Sequence, residues 1–387
     1  MKPIRERLAT LAVFLANGFG IGAWAVEIPR IKEHLSLSDS ALGMALFCFA
    51  LGAIVAMPLA GRLAPRFGSG RATALLGVAF FIALPLPAFA PNLPLLCLVL
   101  VLLGAANGAL DVSMNGHASA IETQWRSPIM SSFHAAWSAG GLTGAATGAM
   151  IEKWGFGAAG GLLLPDAFIG ALIVAAAVLA LRDVGARASK AAGGFALPDA
   201  SVMKLAALAF LCMMVEGAVA DWSAVFLRSV LNREASVAAI GYSAFAFSMA
   251  ACRVIGDVSV RRLGASTVVG LGGFLAASGF ALVLGLPSVW TAVVGFVLVG
   301  LGLANIVPVI FSAAGRSAAT PTVGVSMAAT AGYAGFLVGP PLIGFGAGFL
   351  GLRLALCALL IAALIVCAVG GRAVRSAGMS TRLATSK

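Results

Sequence analysis

Charged side chains are scarce in this sequence. They make up 10% of the 387 residues, whereas an average soluble domain carries roughly 25%. Apolar residues make up 61%, and no stretch is polar enough to fold as a water-soluble domain. The scarcity of charge therefore excludes an ordinary soluble protein and indicates a membrane protein. The 48 glycines agree with this, because small residues let transmembrane helices pack closely.

The chain also lacks the sequence patterns of enzymes and metal sites. It contains no Gly-x-x-x-x-Gly-Lys-(Ser/Thr) phosphate loop, no His-Glu-x-x-His zinc motif and no Gly-x-Ser-x-Gly nucleophile elbow. Its six cysteines lie within or at the ends of apolar segments without Cys-x-x-Cys spacing, which favours buried free thiols over disulfides or metal ligands. We expect no enzyme activity, no metal and no cofactor, so the energy for any work must come from an ion or solute gradient.

The excess of basic residues does not form a nucleic-acid surface. The chain has 25 lysines and arginines against 14 acids, a net charge of +11, but the basic residues lie in short loops and not along one stripe. If the N-terminus is cytoplasmic, 19 of them fall inside and six outside, as the positive-inside rule expects. The sequence therefore predicts that both termini are cytoplasmic. The six outside residues are Arg30, Lys32, Lys153, Arg228, Arg233 and Arg353.

Apolar runs of about 20 residues, the length that a helix needs to cross lipid, recur twelve times. Only helices or closed barrels satisfy their backbone in lipid, and these runs lack the alternation of barrel strands. The sequence therefore predicts an all-α membrane protein with twelve transmembrane helices. The runs lie near residues 8–28, 40–60, 72–90, 95–117, 129–150, 157–181, 203–227, 237–258, 265–285, 289–313, 323–346 and 352–370.

The first apolar run also fits a second interpretation. Its basic start, with Arg5 and Arg7, its apolar stretch and the sequence Ala23-Trp24-Ala25 resemble a secretory signal peptide with its cleavage site. The charge distribution and an internal repeat both require this run as a helix. We therefore count it as the first transmembrane segment.

An internal repeat divides the sequence into two parts. Ala23-Trp24 matches Asp221-Trp222, and Gly104-x-x-Asn107 matches Gly302-x-x-Asn305, both with an offset of 198 residues. We expect two pseudo-symmetric six-helix halves, residues 1–181 and 203–387, the second ending in a short basic tail. Residues 182–202 are the predicted cytoplasmic linker.

Two cytoplasmic loops resemble the motif between helices 2 and 3 of major facilitator transporters, Gly-x-Leu-x-Asp-Arg-x-Gly-Arg-(Arg/Lys). The first reads Gly61-Arg-Leu-Ala-Pro65-Arg66-Phe-Gly68-Ser-Gly-Arg71, with Pro65 in place of the family's Asp. The second reads Arg253-Val-Ile-Gly256-Asp257-Val-Ser-Val-Arg261-Arg-Leu-Gly264. In that superfamily two parallel six-helix repeats form the fold. The resemblance implies a gate in which glycines turn the helix ends and charged pairs lock the halves. The predicted gate residues are Gly61, Arg66, Gly68, Arg71, Arg253, Gly256, Asp257 and Arg261.

Further stretches resemble the fucose-permease-like branch of the superfamily, close to YbjJ-type bacterial inner-membrane carriers. They are Trp24-Ala-Val-Glu27-Ile-Pro-Arg-Ile-Lys32, Asp111-Val-Ser-Met-Asn115, His134-Ala-Ala-Trp137-Ser-Ala-Gly140, and Gly332-Tyr333 with Gly339-Pro-Pro341. In fucose permeases an acid of helix 4, within Glu-Thr-Ala-Ala-Asn, serves proton coupling, and Asp111 with Asn115 occupies that pattern. The second acid of those permeases, in helix 1, falls at Ala25 here, with Glu27 nearer the proline.

The residues of the fourth run support a coupling role without the family. Asn107, Asp111 and Asn115 follow at i, i+4 and i+8 and share one helix face. Placing an acid in mid-membrane costs on the order of 2.5–3.5 kcal/mol, so it marks a functional site. His134 lies at a similar depth in the next run. It either exchanges a proton with Asp111 across a cavity or makes only an interhelical hydrogen bond, and both fit the sequence.

Further polar residues are candidates for a solute cavity. Glu216 lies near the middle of the seventh run, and Asp221 lies about 140° around the helix from it. Asp221 is therefore expected either to line the outer mouth of the cavity or to pair with Arg228. Four aromatic side chains could stack on a sugar ring: Trp24, Trp137, Trp222 and Tyr333. Trp24 and Trp222, at the outer ends of their runs, fit an aromatic belt at the membrane interface equally well. The predicted proton-coupling residues are Asp111, His134 and Glu216. The predicted cavity residues are Asn17, Asn107, Asn115, Trp137, Glu216, Asn305 and Tyr333.

The resemblance implies a secondary transporter in the bacterial inner membrane. Its expected partners are the lipid bilayer and a small-molecule solute, with no nucleic acid, and the chain is expected to act as a monomer. Proton-coupled symport of a sugar or another small polar solute is the first hypothesis. Proton-coupled efflux of amphipathic or toxic compounds is the alternative, and a receptor or scaffold that keeps the fold without transport is a third.

Overall fold

The structure is a computed structural model that describes residues 3–154, 157–179, 200–231, 235–286, 288–318 and 320–377. These ranges are almost entirely helical and contain no strand. Residues 182–199 of the predicted linker, and the predicted basic tail beyond residue 377, lie outside the described residues.

Six long helices form the N-terminal part of the chain. They are α1 (Ile4–His34), α2 (Asp39–Phe67), α3 (Ser69–Ala83), α4 (Leu93–Trp125), α5 (Met130–Lys153) and α6 (Gly157–Leu179). Ser38 caps α2 by accepting a hydrogen bond from the Ala41 N–H at 3.2 Å. Asn92 caps α4 in the same way, satisfying one of the free N–H groups of the first turn.

The C-terminal part is more interrupted. Its helices are α7 (Ala200–Val225), α8 (Ala235–Val254), α9 (Gly256–Leu263), α10 (Ala265–Gly285), α11 (Val289–Leu303), α12 (Ile306–Ser317), α13 (Pro321–Leu350), α14 (Leu352–Ala355) and α15 (Cys357–Ile365). Wider π-helical turns extend α7 over Phe226–Val230 and α15 over Val366–Gly370. Between α8 and α9 the axis bends by 60°.

Helices of membrane-spanning length and composition dominate the described chain. Nine of them are long and apolar enough to cross a bilayer, or ten if the bent pair α8–α9 counts as one span. As far as the described residues reach, each of the twelve predicted apolar runs overlaps at least one helix, which is consistent with the predicted count.

The chain divides into two compact units. Unit 1 consists of Met1–Arg126, Phe133–Ala196 and Ala319–Ser326. Unit 2 consists of Ser127–Ser132, Leu197–Ala318 and Met327–Lys387. The first turn of α5 thus belongs to unit 2, and the first turns of α13 belong to unit 1.

Glycines bring helix backbones into direct contact within each unit. In unit 1, a Cβ atom added at Gly52 of α2 would collide with the backbone carbonyl of Val101 on α4. A Cβ added at Gly104 of α4 would collide in turn with the carbonyl of Phe49 on α2. Glycine is therefore required at this crossing for packing, as small residues are at close helix contacts in membranes.

The same contacts correct the predicted repeat. Gly300 of α11 approaches the carbonyl of Phe245 on α8 as Gly104 approaches that of Phe49. Gly104 and Gly300 are 196 positions apart, and so are Phe49 and Phe245. Gly68 and Gly264, also 196 apart, both start a helix with positive φ, at 95° and 82°.

The predicted offset of 198 is therefore wrong for these helices. With the observed offset, Asn107 corresponds to Leu303, so Asn107 and Asn305 are not repeat partners. The match between Trp24 and Trp222 is wrong for the same reason. Gly144 approaches the Phe19 carbonyl of α1 as Gly339 approaches the Met214 carbonyl of α7, and these contacts repeat with an offset of 195. Chance matches two or three residues out of register arise easily where a few residue types make up most of the sequence.

A matched pair of substitutions on α2 tests the packing. A Cβ at Gly43 meets nothing within 4 Å, so Gly43→Ala should be neutral or stabilise the protein by up to about 1 kcal/mol, the difference in helix propensity. Gly52→Ala should destabilise it by about 1–3 kcal/mol, because the methyl group forces α2 and α4 apart. Unfolding in mixed micelles measures both effects. Equal effects at the two positions would contradict the close contact.

Candidate functional site

Three predicted cavity residues of unit 1 form one hydrogen-bonded cluster. The Asn17 side-chain N–H of α1 donates to the Asn107 side-chain oxygen of α4 at 2.9 Å. The Trp137 indole N–H of α5 donates to the Asn17 oxygen, also at 2.9 Å. Asn17 and Asn107 are 2% and 5% exposed. The cluster therefore joins α1, α4 and α5 through buried amide groups.

Asp111 and Asn115 follow Asn107 along α4, as the sequence pattern predicts. The Asn115 side-chain N–H donates to the Asp111 backbone carbonyl at 2.9 Å and to its Oδ1 at 3.2 Å. The other carboxylate oxygen of Asp111 and the amide oxygen of Asn115 are buried and have no hydrogen-bond partner among the described residues. Buried polar atoms without a partner are rare in folded proteins, so these two oxygens are candidates for a functional role.

His134 of α5 packs against α1. Its ring lies edge-on to Phe14, with the ring centroids 5.7 Å apart and the planes at 63°. Its pairing with Asp111 stays a prediction. A second histidine, His117 of α4, is fully buried, and its Nδ1 lies 2.8 Å from the Ser69 hydroxyl oxygen.

In unit 2 the side chain of Arg253 reaches a break in the helix opposite. It is 5% exposed and its Nε–H donates to the Ala304 carbonyl, between α11 and α12, at 3.2 Å. In a continuous helix that carbonyl would accept from residue 308, but Pro308 has no N–H. Arg253 thus replaces the missing backbone donor. Its charge also attracts that of Glu216 on the neighbouring α7.

Asn305 lies at the same helix break. Its side-chain N–H donates to the Cys252 carbonyl at 3.2 Å, while its amide oxygen has no partner among the described residues. A Cβ at Gly256 would collide with that oxygen. Asn305 is therefore placed next to the predicted gate loop of its own unit. Tyr333 is half-buried on α13.

The gate residues fall at the ends of helices. In unit 2, Asp257 accepts a hydrogen bond from the Ser132 backbone N–H at 3.2 Å. In unit 1, the Ser326 hydroxyl donates to the Met57 carbonyl at 2.9 Å, and a Cβ at Gly61 would collide with the Ser326 side chain. Of the four predicted gate arginines, Arg66, Arg71 and Arg261 are exposed and Arg253 is buried.

Three further acidic residues differ from one another in burial and in pairing. Glu27 is fully buried and paired with Arg30 at 3.1 Å. Asp221 is exposed and forms no ion pair with Arg228. Asp166 of α6, which is not among the predicted site residues, is 5% exposed and its Oδ1 has no hydrogen-bond partner among the described residues. The same argument that marks Asp111, an acid within an apolar run, also identifies Asp166 from sequence.

Comparisons with known proteins agree with this architecture. The family model described as Major Facilitator Superfamily matches residues 10–340. The chain is similar to the membrane protein MosC of Rhizobium meliloti, with 38% identity over 356 residues that cover 91% of this chain and 86% of the relative. It is also similar to an uncharacterised MFS-type transporter of Yersinia pestis, with 34% identity over 373 residues that cover 96% of each.

Two solved structures show the fold. FucP, a fucose:proton symporter of E. coli solved in the outward conformation, has a TM-score of 0.77 at 16% identity and covers 96% of this chain and 98% of its own. The proton:xylose symporter XylE has a TM-score of 0.75 at 12% identity, with 95% of both chains covered. The chain therefore belongs to the major facilitator superfamily, has its all-helical fold, and is a multi-pass membrane protein of this family of transporters.

Proposed function

We propose that the protein is a proton-coupled symporter of a small polar solute such as a sugar. The observation that carries the proposal is the buried carboxylate oxygen of Asp111, which has no hydrogen-bond partner among the described residues. In this scheme Asp111 carries the proton, and the protein works as a monomer in the bacterial inner membrane. The names of two structural neighbours, a fucose:proton and a proton:xylose symporter, support the same solute class.

The cluster next to Asp111 suits a sugar. Asn17, Asn107 and Asn115 carry amide groups, whose donors and acceptors can exchange their present hydrogen bonds for bonds to solute hydroxyl groups. The Trp137 ring presents an apolar face with a polar edge, on which a sugar ring can stack. Glu216, Asn305 and Tyr333 are the proposed solute contacts of unit 2, and His134 and Glu216 are the further proposed proton-coupling groups.

Alternating access gives the acid its role. Superfamily transporters expose a midplane site to one side of the membrane at a time by rocking their two repeats. A protonated Asp111 is neutral and is better tolerated in the apolar interior than a carboxylate. We infer that proton binding permits the transition of the loaded transporter, so that solute and proton move together.

Reconstitution into liposomes that contain a pH-sensitive dye tests this function. Addition of the transported solute on the outside should acidify the lumen, and an inward proton gradient should drive accumulation of that solute. A panel of hexoses, pentoses and small polar metabolites identifies it. If no solute of the panel moves protons, while deletion of the gene lowers resistance to amphipathic toxic compounds, export replaces symport as the function.

A further inference from the structure

An open groove lies in unit 2 between α7 and the last helix of the described chain, Leu352–Ala377. Its cavity measures about 420 Å³. Lys204, Leu208 and Leu211 line it from α7, and Ile365, Val369 and Arg372 line it from the C-terminal helix. None of these residues belongs to the predicted solute cavity or gate.

The groove has one basic end and one apolar end. Lys204, Leu208 and Leu211 follow at i, i+4 and i+7 along one face of α7. Ile365, Val369 and Arg372 have the same spacing on the last helix, but there the basic residue comes last and not first. Lys204 lies near the start of α7 and Arg372 near the end of the last helix, and both of these helix ends are predicted to be cytoplasmic. The two basic residues therefore belong to the same end of the groove, and the apolar wall extends about 10 Å from it at 1.5 Å per residue.

The two cations of the groove have no partner of their own. Both Lys204 and Arg372 are exposed, and neither makes an ion pair or a hydrogen bond with any other residue in the described part of the chain. Two like charges that line one groove repel each other, and an anion bound between them turns this repulsion into attraction. The basic end is therefore matched to an anion.

The apolar wall indicates which kind of anion fits the groove. Ile365 and Val369 are exposed to the groove, at 42% and 44% of their surface, so a small soluble anion would leave them uncovered. A neutral lipid would cover them but would leave both cations unmatched. A molecule with an anionic head and a hydrocarbon tail matches both ends. Basic pockets between transmembrane helices on the cytoplasmic side, where both residues are predicted to lie, attract such lipids.

We propose that this groove binds one anionic phospholipid. Its phosphate lies between Lys204 and Arg372, and an acyl chain lies against Leu211 and Ile365. The lipid thereby joins the first and last helices of unit 2.

Thermal unfolding of the full-length, delipidated protein in detergent tests the proposal. Dioleoyl phosphatidylglycerol should raise the unfolding temperature in a saturable manner, because a ligand of the folded state stabilises it. Phosphatidylcholine with the same chains, and inorganic phosphate alone, should not. The double variant Lys204→Gln/Arg372→Gln should need about thirtyfold more phosphatidylglycerol for the same effect, given the attraction of each basic residue to anionic lipid.

Two further variants distinguish the contribution of the lipid headgroup from that of its acyl chain. Arg5→Gln/Arg262→Gln removes two exposed basic residues outside the groove and should leave the lipid response unchanged. Ala207→Phe keeps the charge but fills the groove, which Ala207 lines, and it should also abolish the response. The proposal is overturned if inorganic phosphate protects as well as the lipid, if both double variants weaken binding equally, or if Ala207→Phe has no effect.

Discussion

Asp111→Asn should abolish proton-driven accumulation of the transported solute. Asparagine has the shape of aspartate and can keep the hydrogen bond from Asn115 to the backbone carbonyl of residue 111, but it cannot bind and release a proton. An inward gradient of one pH unit drives at most about tenfold accumulation when one proton moves with each solute. The variant should equilibrate the solute to a ratio of one while still exchanging labelled for unlabelled solute.

Asp166→Asn is the matched control for this experiment. Asp166 is also an acid of unit 1 in an apolar helix with an unpartnered buried oxygen, but it lies outside the polar stripe of α4. Its variant should retain accumulation. If Asp111→Asn accumulates solute against its gradient, or if only Asp166→Asn loses coupling, Asp111 is not the proton carrier.

Arg253→Met should lower the free energy of unfolding by about 3 kcal/mol or more. It leaves the Ala304 carbonyl without its donor and removes the positive charge that attracts Glu216. Unfolding in mixed micelles measures the loss. Arg253→Lys keeps the charge but lacks the Nε–H, so it should cost about 1–2 kcal/mol, the contribution of the hydrogen bond.

A double-mutant cycle isolates that hydrogen bond. Pro308→Ala supplies a backbone N–H at the position from which a helix would satisfy the Ala304 carbonyl. In this background Arg253→Lys should cost less than half of what it costs alone. Additive effects of the two substitutions would mean that the arginine does not replace the missing donor.

Helices were the most predictable part of this molecule. The length of a bilayer crossing fixes the length of an apolar run, and all twelve runs overlap helix in the described part of the chain. The breaks between α8 and α9 and between α11 and α12 were not predicted. Pro308 gives a signal for the second, but whether a proline breaks a helix depends on what satisfies the freed carbonyl, and Arg253 comes from another helix.

The candidate site was predictable as a set of residue types but not as a set of bonds. The rarity of polar groups in apolar runs singled out Asn17, Asn107 and Asp111, and the structure links the two asparagines directly. Their partner Trp137 is 120 residues from Asn17, and no local spacing encodes such a contact. Asn305 lies two positions from the residue that corresponds to Asn107 in the repeat, so polar residues alone do not give the correct register.

After a gene duplicates, closely packed glycines stay at matching positions in the two copies more strictly than polar residues do. A polar residue can be lost in one copy and gained a few positions away as the copies acquire separate roles. Gly104 and Gly300 have no such freedom, because any side chain strikes a neighbouring backbone. The two halves are therefore best aligned on these backbone contacts, and that alignment places Asp111 opposite Val307.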